Sequence, residues 1–342
     1  MPRLILVLHD LYPARLDAAT QAALPRLPTL ERWLAQGEAG AAPGGWREWL
    51  WRELGDSTQP AVPPASIAGA AVAGAPADQP LWLATPAHFM AGLDTVRMHP
   101  AGLLALDPGE QAALVADFAR VFTGSGYSLH ATGRRELLLA GGAAAAAGSV
   151  VSHDPGKWLG TDPGSGFPSG HGASALRRLG AELEMWLHEH PVNRARAERG
   201  LLQVSALWLW GGGARLATGG AASAVPQPAP PQPVAWAGDL YVDGLARLRG
   251  LAIASGAQPW PSAPGDMLAV CRLGARPDSQ SLLALERDWL APAFERWRNG
   301  GVQSASLLAG DRVVTLQSGG WRWRGIVRRV RRSRPWWETL LQ

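Results

Sequence analysis

The sequence predicts an α/β fold, a sheet flanked by helices, on three observations. The first is Leu4 to Leu8, a continuous apolar run of the kind a buried central strand shows, ending at His9-Asp10. The second is the stretch from Trp186 to Gly213. Its first half is helical in composition, with a basic end running into Gly200, and its second half, Val204 to Trp210, is an apolar run closed by three glycines. A helix, a buried strand and a glycine-rich turn are the parts from which open α/β sheets build clefts beyond their strand ends. The third is size: 342 residues, 47% of them hydrophobic, bury a large core as one domain with a substantial insertion or as two domains.

The remaining elements follow in order. Pro60 to Pro80 is rich in alanine, proline and glycine and reads as a loop around one short helix. Leu81 to Ala84 suggests a strand, and Thr95 to Leu106 holds one or two more extended runs. Asp107 is the N-cap and Pro108 the first turn of a helix whose apolar residues recur through Phe122. Tyr127 to His130 and Leu137 to Leu139 complete a β-β-α-β-β unit, and Gly156 to Gly172 is a loop. Ala221 to Pro233 is a proline-rich connector, and Val234 to Asp239 and Met267 to Arg272 are strands. Ser281 to Trp297 is an amphipathic helix. Val302 to Leu308 and Arg312 to Gln317 then form a hairpin turning at Gly310-Asp311.

His190, Pro191, Asn193 and Arg196, followed by Trp208, Trp210, Gly211 and Gly213, resemble a segment of the cofactor-independent phosphoglycerate mutases of archaeal type, in the alkaline phosphatase superfamily. Taken singly, Trp208 and Trp210 have a plainer reading as core. Three further segments are similar to that family: the His9-Asp10 strand end, where it places a metal-binding aspartate; Leu27 to Gly37, its first helix; and Asp243 to Ala252, a short glycine-rich helix after the sheet. Within the superfamily the chain looks most like a bacterial regulatory branch, the RpfE type. The resemblance implies an alkaline phosphatase-like α/β core over residues 1–80 and 190–342, with an inserted smaller α+β domain and connecting helix over 81–189.

Two departures strike at the chemistry the resemblance implies. Where the family has a Pro-Gly-Ser-Asp loop carrying its nucleophile, this chain reads Pro43-Gly44-Gly45-Trp46, and glycine cannot form a phosphoenzyme. The family also takes ligand histidines from its C-terminal half, whereas all eight histidines here lie between His9 and His190. Cys271, the only cysteine, cannot replace three imidazoles. A dinuclear site needs several convergent ligands. We therefore expect no catalytic residue, no metal ligand and no cofactor, whereas an active enzyme would need two Mn or Mg ions.

What the resemblance leaves is a ligand-binding cleft of Asp10, His88, Asn193, Arg194, Arg196, Gly211 and Gly213. Its arginines would hold a phosphorylated or carboxylate small molecule as bidentate donors, and a protein partner is the other expectation. The competing reading is an active mutase rebuilt from His9, Asp10, His88, His153 and His171, with Ser57 or Ser169 as nucleophile. His188 and His190, two apart on a helix, face different ways and make a poor metal pair.

The net charge is only +4, and Lys157 is the sole lysine, so arginine supplies nearly all the basic character. Arginines and tryptophans crowd the stretch from Trp321 to Trp337, a composition able to grip a polyanion. No nucleic-acid motif stands elsewhere, so a packed tail is the expected reading and nucleic acid is not the expected partner. A single cysteine excludes an intrachain disulfide framework. Leu137 to Val151, the longest weakly polar stretch, is too short for a bilayer span. With no signal peptide expected, the reading is a cytoplasmic protein without membrane contact.

Overall fold

A computed structural model of the chain describes residues 2–11, 21–54, 62–76, 78–92, 94–142, 150–213, 234–236, 238–253, 260, 265–273, 277–318 and 334–341. The connector 221–233, Ser57 and residues 319–333 of the Arg/Trp tail lie outside them. The chain forms two compact units. The first comprises Met1–Ser57, Val225–Ala237 and Gly250–Gln342; the second comprises Thr58–Ala224 and Gly238–Arg249. The architecture is mixed α/β.

The first unit is built on a seven-stranded sheet. Its strands are β1 (Arg3–His9), β2 (Glu38–Ala41), β8 (Val234–Trp236), β9 (Ala252–Ile253), β10 (Met267–Arg272), β11 (Ser304–Ala309) and β12 (Arg312–Gln317), in the order β2-β12-β11-β1-β10-β8-β9. β1 is central and pairs in parallel with β10 on one side and β11 on the other. A strand so placed is covered on both faces, and Leu4 through His9 are accordingly all buried. Leu4, Leu6 and Leu8 point to one face. They share a core with Leu30 and Trp33 of α1 (Pro28–Gln36) and with Leu282, Leu290 and Phe294 of a long helical stretch. That stretch is α8 (Ser279–Leu285), a π turn (Glu286–Leu290) and α9 (Ala291–Arg298). Trp336, at the start of α10 (Trp336–Leu341), is buried in the same core and donates its indole N–H to Pro25 O at 3.0 Å.

The second unit is an antiparallel sheet with helices. β3 (Leu81–Ala91) is its axis. One edge of β3 pairs first with β6 (Leu137–Gly141) and then with β4 (Val96–Leu103), while the other pairs with β7 (Ala206–Gly213). Pro86 sits at the hand-over from β6 to β4, where its missing N–H costs least. β5 (Tyr127–His130) completes the sheet beside β6. Between β4 and β5 runs α4 (Pro108–Val121), and Asp107 caps it in a full capping box with Glu110. Two further helices, α3 (Pro64–Gly69) and α7 (Leu240–Arg249), pack on each other.

The stretch 186–200 is two helices, not one. α5 (Ala173–Glu189) stops at His190, and α6 (Pro191–Glu198) starts at once. Pro191 forces the break, since it can neither donate to the first helix nor follow a residue in helical conformation. His190 takes the cap position and its Nδ1 accepts the Val192 N–H at 3.1 Å. The compact units divide at 57/58, 224/225, 237/238 and 249/250. β7 pairs antiparallel with β3 and so stands in the second sheet. Its glycines continue the strand: a Cβ on Gly212 would lie 2.0 Å from the Trp82 ring, so the bare backbone rests flat on that indole. Among the described residues no helix is long and apolar enough to cross a membrane.

Candidate functional site

In an open sheet with parallel strands, ligands bind beyond the carboxyl ends where the winding reverses. Here β10 and β11 follow one another in the chain yet flank β1 on opposite sides, which puts that point at the end of β1. His9 stands opposite Arg272 at the end of β10, and Leu8 opposite Ala309 at the end of β11. Asp10 follows directly, with φ at 67°. That left-handed conformation is uncommon for a residue with a Cβ; aspartate tolerates it better than most, and it turns the carboxylate back at the strand. His9 Nε2 lies 3.1 Å from Asp10 Oδ1, and both side chains are buried.

The loop that reaches this strand end is held by the sheet edge. β2 pairs with β12, and Ala42 N–H donates to Asp311 O at 2.7 Å, which delivers Pro43 to Trp46 beside the hairpin turn. Gly45, with φ at 78°, then starts α2 (Gly45–Glu53). Trp46 packs edge-on against the His9 ring at 5.2 Å between centroids, and the Arg47 guanidinium lies 4.1 Å over the Trp46 ring. All three side chains are buried. An indole and a guanidinium thus occupy this strand end, and Gly45 brings no hydroxyl to it.

Among the described residues of the first unit, the donors at these carboxyl ends suited to a cation are His9 and Asp10. Beside them stand the cation Arg272 and the apolar Ala309. Cys271 is one residue short of the end of β10, and burial pushes its thiol up to about 12, which keeps it neutral. Such a set does not fit a two-ion centre, which needs several anionic or imidazole ligands per metal. The register of β1 and β10 places the cation Arg272 opposite His9.

The other residues read from the sequence as ligand-binding lie in the second unit, at two ends of β7. Asn193 is buried. Its Nδ2 donates to Leu187 O at 2.7 Å and Val204 O at 2.8 Å, while its Oδ1 accepts the Val204 N–H at 2.7 Å. Arg196 donates to Glu110 Oε2 at 2.8 Å and to Leu202 O at 2.8 Å. Arg199 also bonds Glu110, so the two arginines tie α6 to the start of α4. Arg194 is exposed and donates to Glu189 O at 3.2 Å.

His88 sits on β3 near the same end, with Nδ1 2.7 Å from Gln203 O and 3.2 Å from Ser205 Oγ. A carbonyl only accepts, so Nδ1 carries the proton and cannot act as base toward Ser205. The ring also meets His99 edge-on at 5.8 Å. Gly211 and Gly213, with φ at 63° and 157°, stand at the far end of β7. Seven residues of strand beyond Val204 is roughly 23 Å, so the glycines and the Asn193 group form no common cleft. Gly211 N–H donates to Ser152 Oγ at 3.0 Å and the Trp208 indole to His153 O at 2.9 Å. Ser169, the nucleophile of the competing reading, is held by backbone pairing with Val151.

The sequence reading missed the Trp46–His9–Arg47 stack, although Trp-Arg directly after a glycine pair was visible as bulk placed beside the strand end. It also missed the convergence of Phe89, Phe167 and Trp208, which lie too far apart in sequence for any pattern to join.

No protein-family model matches the chain, and no curated protein matches it. Solved structures similar to it include the following two. A cofactor-independent phosphoglycerate mutase from Thermoplasma acidophilum DSM 1728 is 16% identical, with 93% of this chain and 90% of that chain covered and a TM-score of 0.37. The PH0037 protein from Pyrococcus horikoshii is 12% identical, with 92% and 86% covered and a TM-score of 0.44.

Proposed function

We propose that this chain is a phosphoglycerate-mutase-like protein of the alkaline phosphatase superfamily that has lost phosphoryl transfer and works by binding. Its role is regulatory, of the kind the RpfE-type branch carries, and its compartment is the cytoplasm. The observation that carries this reading is the end of β1. Where the family would set a serine nucleophile and an acidic neighbour, Gly45 has no side chain and Trp46 lies against His9. Asp10 is engaged with His9, and the cation Arg272 stands opposite His9 in the register of β1 and β10. A guanidinium there favours a phosphorylated or carboxylate small molecule, or an acidic group of a protein partner.

A coupled assay interconverting 3- and 2-phosphoglycerate, with manganese or magnesium added, tests the reading. Turnover at the blank level in the natural chain, unchanged in Asp10→Ala, is the expected result. Turnover that Asp10→Ala abolishes would overturn it and restore the active-mutase alternative.

A further inference from the structure

Along the second unit, a cavity of about 460 Å³ opens between α5 and β7. That volume lies in the range of small-molecule sites. Its back wall is aromatic. Phe167 and Trp208 stack at 5.0 Å between centroids with 28° between planes, and Phe89 meets both at 6.3 Å. These centroid distances leave no room for a group between the rings, so they form a wall and not a cage around a cation. Phe167 nevertheless keeps 37% of its surface exposed, a large apolar face open to a ligand.

The opposite wall is low because α5 carries Gly180 there. A Cβ built on Gly180 meets nothing within 4 Å, although glycine disfavours a helix interior. The helix thus gives up stability at a position where a side chain would enter the cavity.

Two opposite charges also line the cavity, seven residues apart on one face of α5, roughly 10 Å along its axis. Arg177 Nη1 donates to Pro168 O at 2.8 Å, which fixes the guanidinium at one end, and among the described residues it makes no ion pair with a carboxylate. Glu184 marks the other end, and partial burial raises its carboxyl above the usual range. The two do not pair with each other.

We propose that this cavity binds a short zwitterionic aromatic peptide, with its ring on the Phe167–Trp208 wall, its carboxylate on Arg177 and its ammonium on Glu184. A dipeptide satisfies all three demands: one flat apolar group, an anion and a cation separated by several ångströms, and a volume the cavity holds. A free amino acid places its charges too close together to reach both ends. This site stands independently of the reading of the first unit.

The test is calorimetric titration of the full chain with phenylalanyl-glycine, its N-acetyl derivative and its C-terminal amide. Saturable binding of the free dipeptide is expected, with each capped derivative weaker by roughly fivefold, as exposed ion pairs allow. Gly180→Leu should abolish binding while the melting temperature holds or rises, since the new side chain enters open space. Glu184→Gln should bind the free and N-acetylated forms equally. No saturable binding by the natural chain at millimolar dipeptide, or binding that survives Gly180→Leu, would overturn the proposal. Equal binding of the free and both capped forms would refute the assignment of Arg177 and Glu184.

Discussion

Replacing Asn193 by alanine removes an amide that closes three backbone hydrogen bonds inside the second unit. Leu187 O keeps a second donor, the His190 N–H at 3.1 Å, so it is not left bare. Val204 fares differently: both its N–H and its C=O use the Asn193 side chain, and the residue is 1% exposed. Two buried backbone groups left unpaired cost about 1–3 kcal/mol each, so Asn193→Ala should lower stability by about 3 kcal/mol. Asn193→Asp keeps one acceptor for the Val204 N–H but turns a second oxygen toward two carbonyl oxygens. It should be worse than alanine at neutral pH. The carbonyl oxygens of Leu187 and Val204 disfavour the charged form of the introduced carboxyl, so its folded-state pKa is raised. The variant should therefore recover relative to the natural chain at acid pH and lose ground as pH rises. Urea unfolding gives the stabilities, and hydrogen exchange over 201–210 gives the local effect at Val204. An Asn193→Ala chain within about 0.5 kcal/mol of the natural one, with unchanged exchange at Val204, would refute the reasoning.

Three further outcomes follow from the same structure. Burial holds the His190 imidazole below its ordinary 6.5, with Asp117 opposing the shift and Arg194 adding to it. The neutral ring contributes stability above pH 6.5 that is lost as pH falls through the lower folded-state value; unfolding against pH should show that loss, and His190→Asn, which keeps a cap acceptor, should flatten it. Gly212→Ala should destabilise by roughly 1–3 kcal/mol because Trp82 is fully buried and cannot yield, whereas Gly180→Ala should be neutral or stabilising by up to ~1 kcal/mol; equal thermal melts for the two would contradict this. The Cys271 thiol, pushed up to about 12, should resist iodoacetamide at pH 8 in the folded chain and react in urea, and alkylation of the native chain at the rate of a free cysteine would count against its burial.

Much of the fold was legible because local signals agreed with tertiary ones. Asp107-Pro108-Gly109-Glu110 announces a capped helix start, and the structure closes both bonds of the box. The terminal hairpin was visible from two strand-like runs around Gly310-Asp311. Leu4 to Leu8 showed a strand buried on both faces, and it pairs on both sides. What failed to show was partnership. Val204 to Trp210 is as apolar as a central strand, but sequence cannot reveal that β3, more than a hundred residues earlier, takes it as an antiparallel edge. The Pro191 break was present in the composition but outweighed by the helical residues on either side.

For the site, the tip of β1 was readable because an acidic residue after an apolar strand is a simple pattern. The functional look of Asn193 and Arg196 came from residue type alone. Side-chain amides and guanidinia serve equally well for ligands and for stitching helix ends to strands. Only the Val204, Leu202 and Glu110 partners show the stitching here.

The central claim, that the end of β1 no longer holds a two-metal phosphoryl-transfer centre, is tested most directly by counting bound manganese. Equilibrium dialysis of the full chain, followed by metal analysis, should give fewer than two tightly bound ions per chain. Two tight ions per chain, both lost in Asp10→Ala, would contradict the account and require a ligand set that His9 and Asp10 alone do not supply.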